Sequence, residues 1–146
     1  MKKFSKPRIN TFFIEIIVVI LFFSLASTII VHVFAQTNYD ICLNKVKSKA
    51  IINSRCLSDM YSTNQDISQT LVRVFGDKCN IYTDNNGQYI VELDYELKQT
   101  DNTNVVLIVA EEKTETESGI YGEIKLEYEY LDKVVYETSA ASYIVK

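Results

Sequence analysis

The sequence predicts an α+β fold in which a long N-terminal helix packs on an antiparallel sheet of four or five strands. Two observations lead to this class. No proline or glycine occurs between Pro7 and Gly76, and apolar residues recur in that stretch at helical spacing. From about residue 79 the apolar period changes to two, which is typical of antiparallel strands with one face in water.

The charge distribution divides the chain of 146 residues into four parts. A basic leader, 1–10, precedes an apolar segment, 11–35, a helical segment, 36–76, and a sheet segment, 77–146. The whole chain has a formal charge of −4, but the sheet segment holds 6 basic and 15 acidic residues, a net charge of −9. Because nucleic-acid binding needs basic residues along the phosphates, no nucleic-acid partner is expected.

The apolar segment is long enough to cross a membrane. From Phe12 to Phe34 it contains 23 residues, and a span of about 20 residues crosses a hydrocarbon core of about 30 Å. Basic residues before it predict a cytoplasmic N-terminus and an extracytoplasmic C-terminal domain. A secretory signal peptide cleaved after Ala35 competes with this single-pass anchor, because Val33-Phe34-Ala35 fits a cleavage site. The length of the apolar run and Glu15 near its start count against cleavage there.

Glu15 is the unusual residue of this segment. An unpaired acid costs about 2.5–3.5 kcal/mol at the bilayer centre, and an ordinary anchor gains nothing from one. The stretch FFIEIIVVILFFSLAS, 12–27, resembles the N-terminal helix of type IV pilins and type II secretion pseudopilins. This family has a short basic leader, a phenylalanine-rich apolar helix and a glutamate four residues after the first mature residue.

The resemblance implies a specific processing and assembly chemistry. A prepilin peptidase would cleave between Asn10 and Thr11, and Thr11 would be N-methylated. Glu15 would then pair with the new α-amino group of a neighbouring subunit, with Phe12 and Phe13 in the same assembly segment. The chain departs from the family at Asn10, where glycine is usual, and at Thr11, where phenylalanine is usual.

A second candidate contact lies further along the same helix. Ser24 and Thr28 are four residues apart and share one helix face, with Ser27 beside them. Small polar residues at this spacing let membrane helices approach closely and hydrogen-bond to each other. The alternative is that each hydroxyl bonds the carbonyl four residues before it and has no intermolecular role.

The helix is expected to continue beyond the membrane to about residue 62. Its apolar seam runs through Val46, Ala50 and Leu57. The stretch STNQD, 62–66, predicts a break, with Asn64 or Asp66 capping a short second helix that ends at Gly76.

Five strands are then predicted. Their ranges are 79–84, 87–98, 104–114, 120–131 and 134–145. The Asn-Gly step in DNNG, 84–87, predicts a type I′ hairpin turn. The run VVLIVA, 105–110, is apolar throughout and predicts a central strand buried on both faces.

No catalytic constellation, metal site or cofactor motif is recognised. The single histidine lies in the apolar segment, and the three cysteines have no metal-ligand spacing. A disulfide between Cys56 and Cys79 is one arrangement, and free thiols are the other. We therefore expect no enzyme.

The resemblance implies a minor pilin or pseudopilin-like subunit of a type IV pilus, competence or type II secretion-like filament. Its partners would be the membrane and other pilin-like subunits. The alternative is a single-pass anchored or secreted extracytoplasmic binding module that does not polymerise.

Overall fold

The computed structural model describes residues 9–76, 80–98 and 103–145. The elements follow in the order of two helices and five strands. They are α1 (Ile9–Asn64), α2 (Ile67–Phe75), β1 (Ile81–Thr83), β2 (Tyr89–Leu93), β3 (Val105–Thr116), β4 (Gly119–Tyr130) and β5 (Lys133–Val145). A long helix packed on a five-stranded antiparallel sheet confirms the predicted α+β class.

The chain divides into two compact units, Met1–Asp40 and Ile41–Lys146. The first unit contains the apolar part of α1, whose large side chains are exposed, Phe23 at 71%. By length and composition α1 is a candidate membrane span, the one such helix found among the described residues.

In the second unit the five strands form one sheet in the order β1-β2-β3-β4-β5, with all neighbours antiparallel. The core lies between one face of this sheet and the remainder of α1. The helix contributes Val46, Ala50, Leu57 and Tyr61, all fully buried. The sheet contributes Val91, Leu93, Val105, Leu107, Val109, Ile124, Leu126 and Tyr128, which are also fully buried.

The direction of α1 across the sheet follows from its contacts at either end. Lys49 Nζ lies 3.1 Å from the carbonyl oxygen of Glu96, just after the end of β2. Gln65, directly after α1, donates from Nε2 to the carbonyl oxygens of Ile120 and Ser142, at 3.2 and 3.1 Å. Because Ile120 lies next to the start of β4 and Ser142 lies near the end of β5, this part of α1 runs in the same direction as β3 and β5.

The predicted helix break is confirmed between Asn64 and Ile67, and Asp66 is the residue that caps α2. Asp66 Oδ1 accepts from the Gln69 amide at 3.0 Å, and Gly76 ends the helix with a φ of 92°. A glycine is favoured at this position because a left-handed φ is costly for other residues.

Two predicted strand features are wrong. β2 ends at Leu93, not at residue 98, because Asp94 Oδ1 accepts from the amides of Glu96 and Lys98, at 2.8 Å each, and folds the chain into a turn. β3 is central, as predicted, but buried on one face only, since Val106 and Ile108 on the other face are half-buried.

The turn types also differ from expectation. In the loop after β1, the Gly87 amide bonds the Asp84 carbonyl at 3.2 Å, but only Gly87 has a positive φ. A type I′ turn needs a positive φ at both central residues, so the prediction for DNNG is wrong. Positive φ at two central residues occurs instead at Leu131 and Asp132, 50° and 59°, between β4 and β5.

Candidate functional site

The predicted assembly residues lie together at the start of α1. The helix begins at Ile9, so Thr11, Phe12, Phe13 and Glu15 occupy its first two turns, and all four are exposed. The rings of Phe12 and Phe13 meet edge to face with centroids 6.4 Å apart. Thr11 and Glu15 are four residues apart and therefore neighbours on one helix face. The side chain of Asn10 lies outside the part of the chain whose side chains are described.

Glu15 has no partner in the described part of the chain. It makes no hydrogen bond or ion pair there, although it is surrounded in sequence by isoleucine and phenylalanine. Inside a membrane, a carboxylate at this position would need a cation or water to offset its charge.

Further along α1 a shallow apolar groove crosses the predicted helix–helix face. It is lined by Ile17, Ile20, Leu21, Ser24, Leu25 and Thr28. Thr28 Oγ1 donates to the carbonyl of Ser24 at 2.9 Å, which is the local hydrogen bond of the alternative interpretation. Ser24 and Thr28 therefore line this groove with small side chains. The hydroxyl of Thr28 already donates within the helix and is not available as a donor to another chain. Ser27 does not line it.

The sheet-facing side of α1 includes two residues that the apolar seam did not indicate. Ser54 and Tyr61 are both buried between Ala50 and Gln65. Ser54 is accommodated because its hydroxyl donates to the Ala50 carbonyl at 2.7 Å, which removes the need for a partner from the sheet. The only sign of this in the sequence is that Ser54 lies four residues after Ala50, an apolar position of the helix, and that sign is too weak to predict a buried serine.

Tyr61 fits against a glycine of the sheet. A Cβ atom at Gly122 would lie 2.4 Å from Tyr61 Oη, so only glycine leaves room for the phenol. Burial, and then the negative charge of Glu111, raise the pKa of Tyr61 above its usual value. Glu111 Oε1 in turn lies 2.9 Å from Lys113 Nζ.

A charged cluster attaches the turn after β2 to α1. Glu96 bonds Lys45 through Oε1 and Lys49 through Oε2, the latter at 2.9 Å. Lys45 Nζ also lies 5.1 Å from the ring centroid of Tyr95, which is 43% exposed and lies in the turn after β2. The hydrogen bond from Lys45, and then that from Lys49, lowers the pKa of Glu96 to about 2.

The sheet face turned away from α1 is acidic, as the alternation predicts. Glu112 in β3 lies directly opposite Glu123 in β4, and Glu127 in β4 lies directly opposite Glu137 in β5. Like charges placed directly opposite each other destabilise a sheet. Lys125, which is exposed on the same face, is 3.7 Å from Glu112 and compensates in part.

The cysteines offer no site by themselves. Cys42 and Cys56 are half-buried free thiols. Cys79 lies outside the described residues, so the Cys56–Cys79 disulfide stays a prediction. Within the described ranges, no group of three His, Cys, Asp or Glu side chains is placed to hold a metal ion.

Comparison of the chain with protein-family models, with curated proteins and with solved structures found no match.

Proposed function

We propose that this chain is a minor pilin or pseudopilin-like subunit, inserted through the apolar part of α1 with its sheet domain outside the cell. The observation that carries the proposal is the unpaired Glu15 at the start of an exposed apolar helix that continues into the helix packed on the sheet. The N-terminal resemblance supports the same function. The filament would belong to a type IV pilus, competence or type II secretion-like system.

The physical role of Glu15 in this proposal is to set the register between subunits. A buried carboxylate becomes tolerable when it meets a buried cation, and only one stacking of neighbouring helices supplies the α-amine of Thr11 at the right height. The charge pair would therefore select an arrangement, while the exposed phenylalanine and isoleucine side chains supply contact area.

The first test is the mature N-terminus. Intact mass or N-terminal sequencing of protein from its native membrane should show a chain that starts at Thr11, with or without a methyl group. A chain that starts at Met1 would leave no free α-amine at Thr11 for Glu15, and one that starts at Gln36 would identify a cleaved signal peptide. Asn10→Gly should increase processing and assembly together if the residue before the bond limits cleavage.

The second test separates assembly from insertion. Glu15→Leu makes the helix more apolar, so membrane insertion should be unchanged or better, while incorporation into a filament should be lost. Glu15→Asp keeps the charge with a shorter reach and should be intermediate. Equal filament yields from wild type, Glu15→Leu and Glu15→Asp, at matched membrane levels, would contradict the proposal and favour a simple anchored module.

A further inference from the structure

The two edges of the sheet are built very differently. β1 is a three-residue edge strand, whereas β5 is an edge strand of thirteen residues whose strand neighbour, within the described ranges, is β4 alone. An open edge presents a row of unpaired backbone donors and acceptors, and proteins normally protect such edges with proline, lysine, bulges or short strands. β1 is protected because it is too short to pair with much of another strand.

β5 has little of this protection. Its sequence, KVVYETSAASYIV, contains no proline or glycine and only one charged residue, Glu137, beyond its first position. Its single register irregularity lies at the end near Val134. Every residue except Ser142 is exposed or half-buried, and Val145 is 72% exposed. A long apolar edge of this kind is a template for a further strand.

The charge around β5 indicates which strand fits. The outward side chains of β4 and β5 include four acids and one base: Glu123, Glu127, Glu129, Glu137 and Lys125. A strand added beside β5 would place its own outward side chains next to Glu137 and its inward ones next to half-buried Tyr136 and Thr138. Such a strand is favoured by a basic residue beside Glu137, by further outward bases within reach of the β4 glutamates one strand away, and by apolar residues inward.

A second copy of this chain does not meet these requirements. The outward side chains of its own β5 include Glu137, Ser139, Ala141 and Tyr143, so a second β5 would place no basic residue beside Glu137.

We propose that the free edge of β5 binds an extended strand of a different protein, one that alternates apolar and basic residues, by adding it to the sheet. This interaction does not depend on whether the chain polymerises. It would add main-chain hydrogen bonds along Lys133–Val145 and one or more ion pairs at Glu137.

The test uses the full chain in detergent micelles and three synthetic strand-length peptides. The first alternates Val and Lys, the second alternates Val and Glu, and the third is the Val/Lys peptide with its backbone amides methylated. Hydrogen exchange then reports on each amide of β5. In the free chain, every second β5 amide should be protected by β4; the Val/Lys peptide should slow exchange at the remaining ones.

Charge reversal at the edge gives the matched comparison. Glu137→Lys should weaken binding of the Val/Lys peptide by about two- to fivefold in Kd and strengthen binding of the Val/Glu peptide, as for an exposed ion pair. Glu112→Lys reverses a charge on the same face but on β3, two strands from the open edge, and should leave the peptide preference unchanged.

Four results would overturn the proposal. They are protection that maps outside β5, equal binding of the methylated peptide, equal binding of the Val/Lys and Val/Glu peptides, and protection of the outer β5 amides by self-association without any peptide. The last result would identify a second copy as the occupant. Failure of Glu15 variants to affect assembly would not bear on this test, since the peptide experiment requires no filament.

Discussion

At Gly122 the missing side chain leaves room for the hydroxyl of Tyr61. An alanine Cβ there would lie 2.4 Å from Tyr61 Oη and 3.2 Å from Cζ, and Tyr61 is fully buried, so the helix or the ring must shift. We expect Gly122→Ala to lower the free energy of unfolding by about 1–3 kcal/mol, measured by urea denaturation.

The control for this prediction is the same substitution in a Tyr61→Phe background. Tyr61 Oη is buried and makes no hydrogen bond of normal geometry in the described part of the chain, so Tyr61→Phe alone should cost little. In this background Oη, the atom closest to the new Cβ, is absent, so Gly122→Ala should lower the free energy of unfolding clearly less than it does in the wild type. An unchanged cost in the double variant would show that the phenol does not require the glycine.

Leu131 carries a conformational cost that glycine or asparagine would not. Its φ is 50°, and its side chain is 53% exposed, so little packing compensates for the left-handed backbone. We expect Leu131→Gly to raise the free energy of unfolding by up to about 1 kcal/mol, with an unchanged dependence on urea concentration. Leu131→Ala removes the side chain and keeps the strained backbone, so it should give no such gain.

At the scale of elements, Glu96 makes the attachment of the β2 turn to α1 depend on pH. Its pKa falls from 4.5 to about 2 because Lys45 and Lys49 donate to it in the folded state. The folded state therefore binds fewer protons than the unfolded state, and this stabilisation is complete above about pH 4.5 and lost as pH falls towards 2.

The comparison of wild type with Glu96→Gln measures this effect. Wild type should have the higher midpoint temperature at neutral pH, and the difference should shrink steadily below pH 4.5. The effect is expected to be small, since the three side chains are 30–44% exposed and exposed pairs are screened by water. A difference that stays constant down to pH 2 would show that the amide disturbs packing and that the charge is not responsible.

Most elements are predictable from the sequence because their signals are local. The alternation of Ile124, Leu126 and Tyr128 with charged residues places β4 within one residue of its observed ends. The end of β2 is not predictable in this way, since Tyr95 and Leu97 continue the apolar period. Only the folded chain shows that Lys45 and Lys49 bind Glu96 in the turn at that point, more than forty positions away in sequence.

Turns show the same limit. Asn-Gly permits a type I′ turn at 85–87 but does not require one, and the loop there adopts a different conformation with only Gly87 left-handed. Conversely, Leu-Asp is not one of the residue pairs that favour two consecutive positive φ values, yet Leu131 and Asp132 adopt them. The tight two-residue connection between β4 and β5 imposes them, because the right-handed twist of the paired strands favours this turn over others.

At the scale of the whole molecule, the two compact units differ in what their apolar side chains do. The apolar side chains from Phe12 to Phe34 are exposed and contribute nothing to the core, whereas the second unit buries its own apolar residues without them. The candidate assembly site could be located from sequence because Glu15 contradicts its surroundings. The proposed partner of Glu15 could not be located in this way, since it would lie on another molecule.

This division predicts that residues 36–146 form a soluble and monomeric domain when expressed alone. The fragment keeps every buried core residue, from Val46 to Tyr130, and it keeps the contacts of Lys45, Lys49 and Gln65 with the sheet. It lacks Glu15 and the exposed apolar helix, which are the parts that would drive polymerisation. Sedimentation velocity should therefore show one species of monomer mass, and circular dichroism should show both helix and strand.

The matched control is the full chain with Glu15→Leu in detergent, which has the apolar helix but lacks the charge that would set the register. It should remain soluble in the detergent micelles and fail to form ordered filaments. If the 36–146 fragment itself formed filaments or large defined oligomers, the assembly energy would lie in the sheet domain and not in the apolar helix. Ordered growth would then have to proceed through exposed surfaces of the domain such as the β5 edge, and Glu15 would have no register to set.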